Sequence, residues 1–381
     1  MTAPADRAGV DQGGLEAVST VDRVPSLTGV RALAALLVVG THAAYTTGKY
    51  THGFVGLLYS RMEIGVPIFF VLSGYLLFGP WVKAASSGEP PPSLRRYARN
   101  RVRRIMPAYA VTVLAAYAIY HVREVGPNPG HSWNGLLRNL TLTQIYTDNY
   151  AFALLHQGLT QMWSLAVEVA FYVALPLLSY LLLVTLCRRR WRPRLLLAGL
   201  VALALISPAW MVLVHTTEVL PDGSRLWLPG YLAWFIGGMI LTVLAAMGVR
   251  TYWFIAIPLA LLCYLIVSTP IAGEPTTSPS GLAQAITKTV FYAVIATLVV
   301  APLALGDVGW YSRVLASRPM VWLGEISYEI FLVHLVLMEI AMTVVLHWPV
   351  YTGNTATLFV VTLALSIPAA WVLHRFTRMR P

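Results

Sequence analysis

Val30–Thr47 reads VRALAALLVVGTHAAYTT, a run in which only Arg31 and His42 can carry charge near neutral pH. A helix of that length rises about 27 Å, close to the roughly 30 Å of a bilayer's hydrocarbon core. Nine further stretches come near the same requirement: Ile64–Trp81, Ile105–Tyr120, Ser164–Leu186, Leu195–Val214, Leu226–Met247, Tyr252–Val267, Val290–Leu305, Trp322–Leu346 and Ala356–Leu373. Over all 381 residues 57% are hydrophobic and 11% charged, against about 25% charged in a soluble domain. That deficit excludes a soluble enzyme, a secreted disulfide scaffold and a disordered tail protein. Cys187 and Cys263 lie in different segments without CxxC spacing, and no cluster has metal-ligand spacing, so no metal is expected. The fold class is all-α: a polytopic membrane protein of about ten transmembrane helices.

Basic residues orient the spans, because positively charged loops stay cytoplasmic. With both termini cytoplasmic, the inner segments hold 21 of the 27 Lys and Arg, including Arg95–Arg104 and Arg188–Arg194. The outer segments keep 6: Lys49, Arg61, Arg123, Arg138, Arg225 and Lys288. Adding or dropping one span would invert every later loop. The formal charge of +11 then reads as a cytoplasmic face meeting anionic lipid, and no motif supports a nucleic-acid partner. The first 26 residues are polar and lack the apolar core of a signal peptide. The expected organisation is a disordered cytoplasmic tail over 1–29, a ten-helix membrane domain over 30–374 and a basic tail over 375–381. The outer stretch His121–Trp163 carries Trp133, Tyr146, Tyr150 and Phe152, fit for the interface or for capping a cavity.

An ionisable residue within a span is costly and marks a functional candidate. Arg31 and His42 are eleven residues apart, close to three whole turns, so one helix face carries both, about 16 Å apart. Arg31 then lies near the inner surface and His42 deeper, although Arg31 could snorkel to headgroups and His42 could bond another helix. Arg101 and Arg104, three apart, suit bidentate phosphate binding or serve only as a topology signal. Glu168, about one turn into the fourth span, needs a partner: an arginine, His42 or a sugar hydroxyl, with His42 or the acceptor favoured. Trp163 and Tyr172 suit carbohydrate stacking or an interfacial belt. Glu325, Tyr328, Glu329, His334 and Glu339 crowd the ninth span and point to a hydrated cavity, with His334 read as a packing residue. Ser73 reads as a packing partner of Gly74. His52, His121, His131, His156 and His215 receive no role.

Five runs carry a resemblance. SLTGVRALAALLVVGTH (26–42), GVPIFFVLSGYLLF (65–78), RRYARNRVRRIMPAY (95–109), QMWSLAVEVAFYVALPLL (161–178) and GEISYEIFLVHLVL (324–337) together resemble the bacterial acyltransferase-3 family. Its members are ten-span enzymes that O-acylate cell-surface sugars, glycolipids or secreted metabolites. The resemblance implies a multi-pass protein of the bacterial inner membrane, with cytoplasmic acyl-CoA as donor and a hydroxyl, often across the membrane, as acceptor. The family's catalytic histidine matches His42 and its companion arginine Arg31. The R-x-x-R motif matches Arg101 and Arg104, the acidic residue of W-S-L-x-x-E matches Glu168, and the ninth-span histidine matches His334. Many members have an acidic residue where Pro67 stands; Glu63, one turn earlier, could supply that carboxylate, or Pro67 only bends the helix start and Glu63 is solvated. Many members also carry a fused esterase-like domain; its absence here implies direct delivery to the acceptor.

As general base, His42 would take the acceptor's proton while its oxygen attacks the thioester; an acyl-histidine is the other route. Arg31, Arg101 and Arg104 would hold the phosphates of CoA. Glu63, Trp163, Tyr172, Tyr328 and His334 are candidates for the acceptor side. An envelope glycan or glycolipid is the expected acceptor, with a macrolide-type metabolite as the alternative. A transporter or flippase using His42, Glu168 and the ninth-span acids as a proton relay is the competing reading.

Overall fold

The structure, a computed structural model, describes residues 24–51, 53–123, 126–274 and 281–378. Most of the expected N-terminal tail and the end of the C-terminal one lie outside the described residues, as does His52. The helices are α1 (Pro25–Thr46), α2 (Gly53–Arg61), α3 (Gly65–Ser87), α4 (Leu94–Val122), α5 (Trp133–Leu140), α6 (Trp163–Ser179), α7 (Pro193–Ala204) and α8 (Ile206–Thr216). They continue with α9 (Leu228–Ala246), α10 (Trp253–Val267), α11 (Leu282–Ala304), α12 (Trp310–Leu315), α13 (Arg318–Glu325), α14 (Ser327–Ile340) and α15 (Thr355–Thr377). Among the described residues every regular element is a helix. Nine helical segments there are long and apolar enough to cross a membrane, and α10, at 15 residues, is a shorter tenth. These ten occupy the ten stretches expected from the sequence.

The ends differ where local chemistry intervenes. Ser93, after three prolines, caps α4 by accepting from the Arg96 N–H. The helix then runs 29 residues, about 43 Å, so it outreaches a bilayer and carries the exposed Arg95, Arg96, Arg99 and Arg103 clear of one end. That end, which also bears Arg188–Arg194, is the basic face. The fifth span breaks at Leu205 between α7 and α8. The ninth does not begin at Trp322: Ile326 leaves helical geometry, so α13 ends at Glu325 and a new helix starts at Ser327. Pro67 lacks the N–H that would bond the Glu63 carbonyl, and the chain there tightens into a 3₁₀ turn, Met62–Ile64.

On the face opposite the basic one, Ser132 caps α5, which leaves Trp133 87% exposed, and Phe152 beyond it is 81% exposed. Such apolar residues suit the membrane interface. Arg61, expected as a loop cation, is buried. Its guanidinium donates to the carbonyls of Val267 at 3.0 Å, Ala272 at 3.1 Å and Gly273, which closes the end of the short α10.

Close backbone contacts fix the frame. A Cβ on Gly74 would lie 2.0 Å from the Phe235 carbonyl, and one on Gly238 would lie 1.9 Å from the Val71 carbonyl. Small residues let helices approach this closely in membranes. Beside this seam Phe235 stacks on Phe70 (4.3 Å) and on Phe171 (4.0 Å), tying α3, α9 and α6 together. Helix α1 packs against α3, α13, α14 and α15. Overpacking a core costs about 1–3 kcal/mol. Gly238→Ala should therefore lower the melting midpoint in detergent, whereas Gly79→Ala, with nothing within 4 Å, should match or exceed the parent protein.

Candidate active site

Two cavities lie within the bundle. The first, about 90 Å³, is lined by Arg31, Arg101, Arg104, Ser73, Glu168, Tyr172 and Tyr328 among apolar residues. Arg31 comes from the basic end of α1, Arg101 and Arg104 from successive turns of α4. Arg101 lies over the Tyr172 ring, 6.0 Å from its centroid, and its Nε is buried without a hydrogen-bond partner. Glu168 accepts from Tyr172 Oη at 2.6 Å and from Ser73 Oγ. Tyr328 Oη donates to the Ile105 carbonyl at 3.0 Å, joining α14 to α4. No arginine here makes an ion pair within 4 Å among the described residues. Three cations thus face one carboxylate, and the surplus charge calls for an anion.

At the far end of this cavity Phe331 sits edge-on to Phe69 (6.5 Å) and 5.9 Å from the His334 ring. His334 contacts His42, Nε2 to Nδ1, at 3.2 Å. The backbone decides the tautomers, since a carbonyl can only accept. His42 Nδ1 lies 2.8 Å from the Val38 carbonyl and His334 Nδ1 lies 2.7 Å from that of Phe331. Each Nδ1 therefore carries a proton. The His334 Nε2 lone pair faces the His42 Nδ1–H, and His42 Nε2 is left as a free lone pair without a protein partner among the described residues. His42 keeps accessible surface, so this nitrogen can accept a proton from a bound molecule.

The second cavity, about 310 Å³, lies towards the opposite face and includes Glu63, Pro67, Trp163, Arg225, Tyr231, Lys288 and Tyr292. Glu63 Oε1 pairs with Lys288 Nζ at 2.5 Å and accepts from Tyr292 Oη at 2.8 Å. Val66 lines both cavities.

Residues 24–375, nearly the whole chain, match the family whose description is acyltransferase domain, Acyl_transf_3. The chain belongs to the acyltransferase-3 family. Its relatives include the peptidoglycan O-acetyltransferase OatA of Listeria monocytogenes, 27% identical over 341 residues, covering 82% of this chain and 49% of that protein. Acyltransferase MdmB of Streptomyces mycarofaciens is 27% identical over 372 residues, covering 93% of this chain and 90% of its own. The O-acetyltransferase OatA of Staphylococcus aureus is 24% identical over 356 residues, covering 84% and 51%. The chain thus spans about half the length of the OatA relatives. No solved structure matches. Family and helices together make this an acyltransferase-3 domain that is a multi-pass membrane protein.

Against the acyltransferase-3 positions read from the sequence, the structure brings Arg31, Arg101, Arg104, Glu168, Tyr172 and Tyr328 into one cavity and Glu63 with Trp163 into the other. Three placements differ from expectation. Glu168 sits with Ser73 and Tyr172, and the partner of His42 is His334 instead. The fourth span begins at Gln157, so Glu168 is eleven residues in, about 16 Å deep, on the arginine side. Trp163 and Tyr172 therefore do not share a site. The ninth-span acids do not line a common cavity: Glu325 is exposed on α13, Glu329 pairs with His374 (2.8 Å), and Glu339 pairs with Arg123 (3.0 Å).

Sequence reasoning missed four features. Ser73 reaches Glu168, and Lys288 with Tyr292 anchors Glu63, so Glu63 is neither loose nor solvated at the surface. Gln161 Nε2 donates to the Leu332 carbonyl at 3.0 Å and also reaches that of Phe331, which supports the turn presenting His334. His131 and His156 meet at 3.3 Å beside Tyr117, where burial, and then His131, pushes His156 down to about 4. His156 is thus neutral at pH 7 and reads as packing.

The shared Nδ1 proton makes His334 a positioning residue for His42. His334→Ala should slow acyl transfer about tenfold or more with donor affinity unchanged. His334→Gln, whose Oε1 can accept the same proton, should retain most of the rate. Steady-state kinetics of both variants, with separate KM and kcat, check this.

Proposed function

We propose that this protein is an integral-membrane O-acyltransferase that moves an acyl group from acyl-CoA on the basic, cytoplasmic face to a hydroxyl of an envelope glycan or glycolipid. The observation that carries the reading is the convergence of Arg31, Arg101 and Arg104 on one cavity, whose lining residue Phe331 touches His334, the partner of His42. The phosphates of CoA match a site with three guanidinium groups, an orphaned buried Nε on Arg101 and no paired anion. Their charge stays at the basic face, and only the thioester arm enters the apolar part of the cavity, between Phe69, Phe70 and Leu72. That division avoids the desolvation of a charged nucleotide.

In the proposed reaction His42 Nε2 takes the proton of the acceptor hydroxyl as its oxygen attacks the thioester carbonyl. Collapse of the tetrahedral intermediate breaks the C–S bond, and the CoA thiolate leaves with the proton from the imidazolium. His334 Nε2, accepting from His42 Nδ1–H, holds the ring in orientation as positive charge forms. Glu168, bonded to Ser73 and Tyr172, shapes the cavity wall opposite the arginines. A proton relay through the ninth-span acids finds no support, since Glu329 is bonded to His374 and Glu339 to Arg123.

Protein in nanodiscs tests these roles by calorimetry of acyl-CoA binding and by thiol detection of released CoA, with and without a lipid-extract acceptor. The parent protein should bind acyl-CoA. Arg101→Ala, losing one charge-assisted contact of about 1.5–3 kcal/mol, should bind it roughly tenfold or more weakly. His42→Ala should bind normally but release CoA at least a hundredfold more slowly. Absence of acyl-CoA binding, with His42-dependent solute flux in liposomes, would overturn the reading in favour of transport. Orientation is checked separately: a fluorescent reporter after Pro381 should light up in the cytoplasm, and a cysteine placed at exposed Trp133 should react with an impermeant thiol reagent from outside.

A further inference from the structure

We infer that Phe69 and Phe331 form the stop against which the donor's acyl group ends, so that the protein selects short acyl chains and Phe69 sets their upper length. This rests on the acyl-transfer reading above and adds to it the residues that decide which acyl group is carried.

The arginine cavity has a rigid apolar wall and a closed end. One face of α3 supplies the wall, since Val66, Phe69, Phe70, Ser73, Leu76 and Leu77 line the space at helical intervals of three and four. Phe70 cannot give way, because its ring is stacked on Phe235 (4.3 Å) and Phe235 in turn on Phe171 (4.0 Å). Phe69 is met from across the cavity by Phe331, edge-on at 6.5 Å. Along α14 the residues Tyr328, Phe331 and His334 follow at intervals of three, each a rise of about 4.5 Å. Tyr328 shares the cavity with the arginines, and the buried Phe331 ring lies 5.9 Å from that of His334. An acyl group resting on Phe331 is therefore one such interval from the histidine pair, with the phosphates left at the arginine end.

Space at this end is short. The cavity holds about 90 Å³, well below the roughly 300–1,000 Å³ of pockets that enclose drug-sized ligands. It admits the end of a thioester arm, whereas further methylenes would have to force close-packed rings out of their rotamers. Room lies beyond the stop. Val66, one turn from Phe69 on α3, also lines the second cavity of about 310 Å³. Truncating Phe69 would let a longer chain run on past Val66. Phe331 is the less selective lever, because it also carries the carbonyl that binds His334 Nδ1 and touches that ring.

Calorimetry on protein in nanodiscs, with empty nanodiscs subtracted and no acceptor present, reads chain length without turnover. The probes are CoA itself and acetyl-, butyryl-, hexanoyl- and octanoyl-CoA. The parent protein should bind acetyl-CoA about as tightly as CoA and octanoyl-CoA roughly tenfold or more weakly. Phe69→Ala should bring octanoyl-CoA to within about threefold of acetyl-CoA, and Phe69→Leu should fall between. CoA binding should be the same in all three proteins and reports their folding. Equal binding of every length by the parent protein, or unchanged discrimination in Phe69→Ala, would overturn the stop. Thiol detection of CoA release with a lipid-extract acceptor separates this from the transfer reading. Release from every donor with a flat length profile would sink the stop alone. The expected binding profile without release from any donor would sink the transfer reading and leave the stop standing.

Discussion

Three guanidinium groups share one cavity with a single carboxylate, and this uncompensated charge sets the terms for the basic half of the molecule. Charge at that depth is tolerated only where water or a counter-ion can reach it. The surrounding helices meet that condition in concrete ways. Helix α4 is long enough to hold Arg101 and Arg104 at the mouth while its first turns stand clear of the membrane. The break at Ile326 sets Ser327 and Tyr328 at the start of α14, where both line the same space. Behind them the glycine seam of α3 and α9, with the Phe70–Phe235–Phe171 stack, gives a wall that cannot collapse into the cavity.

Much of this was readable from residue spacing. Ten apolar runs appear as ten helical segments, and the eleven-residue interval from Arg31 to His42 leads from the arginine cavity to the histidine pair, because a regular helix converts sequence distance into rise. The misplacements arise where that conversion loses its origin. Glu168 was counted from an apolar start at Ser164, but the polar 3₁₀ turn Gln157–Met162 already belongs to the span, so the carboxylate lies deeper than hydropathy suggests. The apolar run from Trp322 hides the break at Ile326, since hydropathy is indifferent to whether successive turns share an axis. Long-range partners carried no local signal: Lys288 and Glu63 are 225 positions apart and meet only through packing of the 3₁₀ turn beside α11. Arg61 illustrates the same limit, because a cation that closes a short helix is identical in sequence to one that faces water.

The two cavities differ in their linings. One gathers three arginines around Glu168; the other sets Trp163 and Tyr231 beside the Glu63–Lys288 pair and Arg225. Past Phe331 of the first cavity stands the pair of imidazoles whose protons are assigned by backbone carbonyls at Val38 and Phe331. A tautomer fixed by the main chain does not depend on a mobile side chain, so the Nε2 lone pair of His42 is in place before any ligand arrives. Acids elsewhere in α14 are tied to Arg123 and His374, which ties down the ends of that helix and leaves its middle to the histidine.

Val66 lining both spaces has an electrical consequence. Where water enters from each side, membrane voltage falls mainly across the thin partition rather than across the full hydrocarbon thickness of about 30 Å. His334 touches Phe331 of the first cavity, and His42 touches His334. A unit charge crossing the whole potential is worth about 2.3 kcal/mol per 100 mV, and a proton taken up by His42 within the bundle would feel part of it. In the proposed reaction an energised membrane would therefore act on the chemical step itself, coupling the rate to the electrical state of the cell.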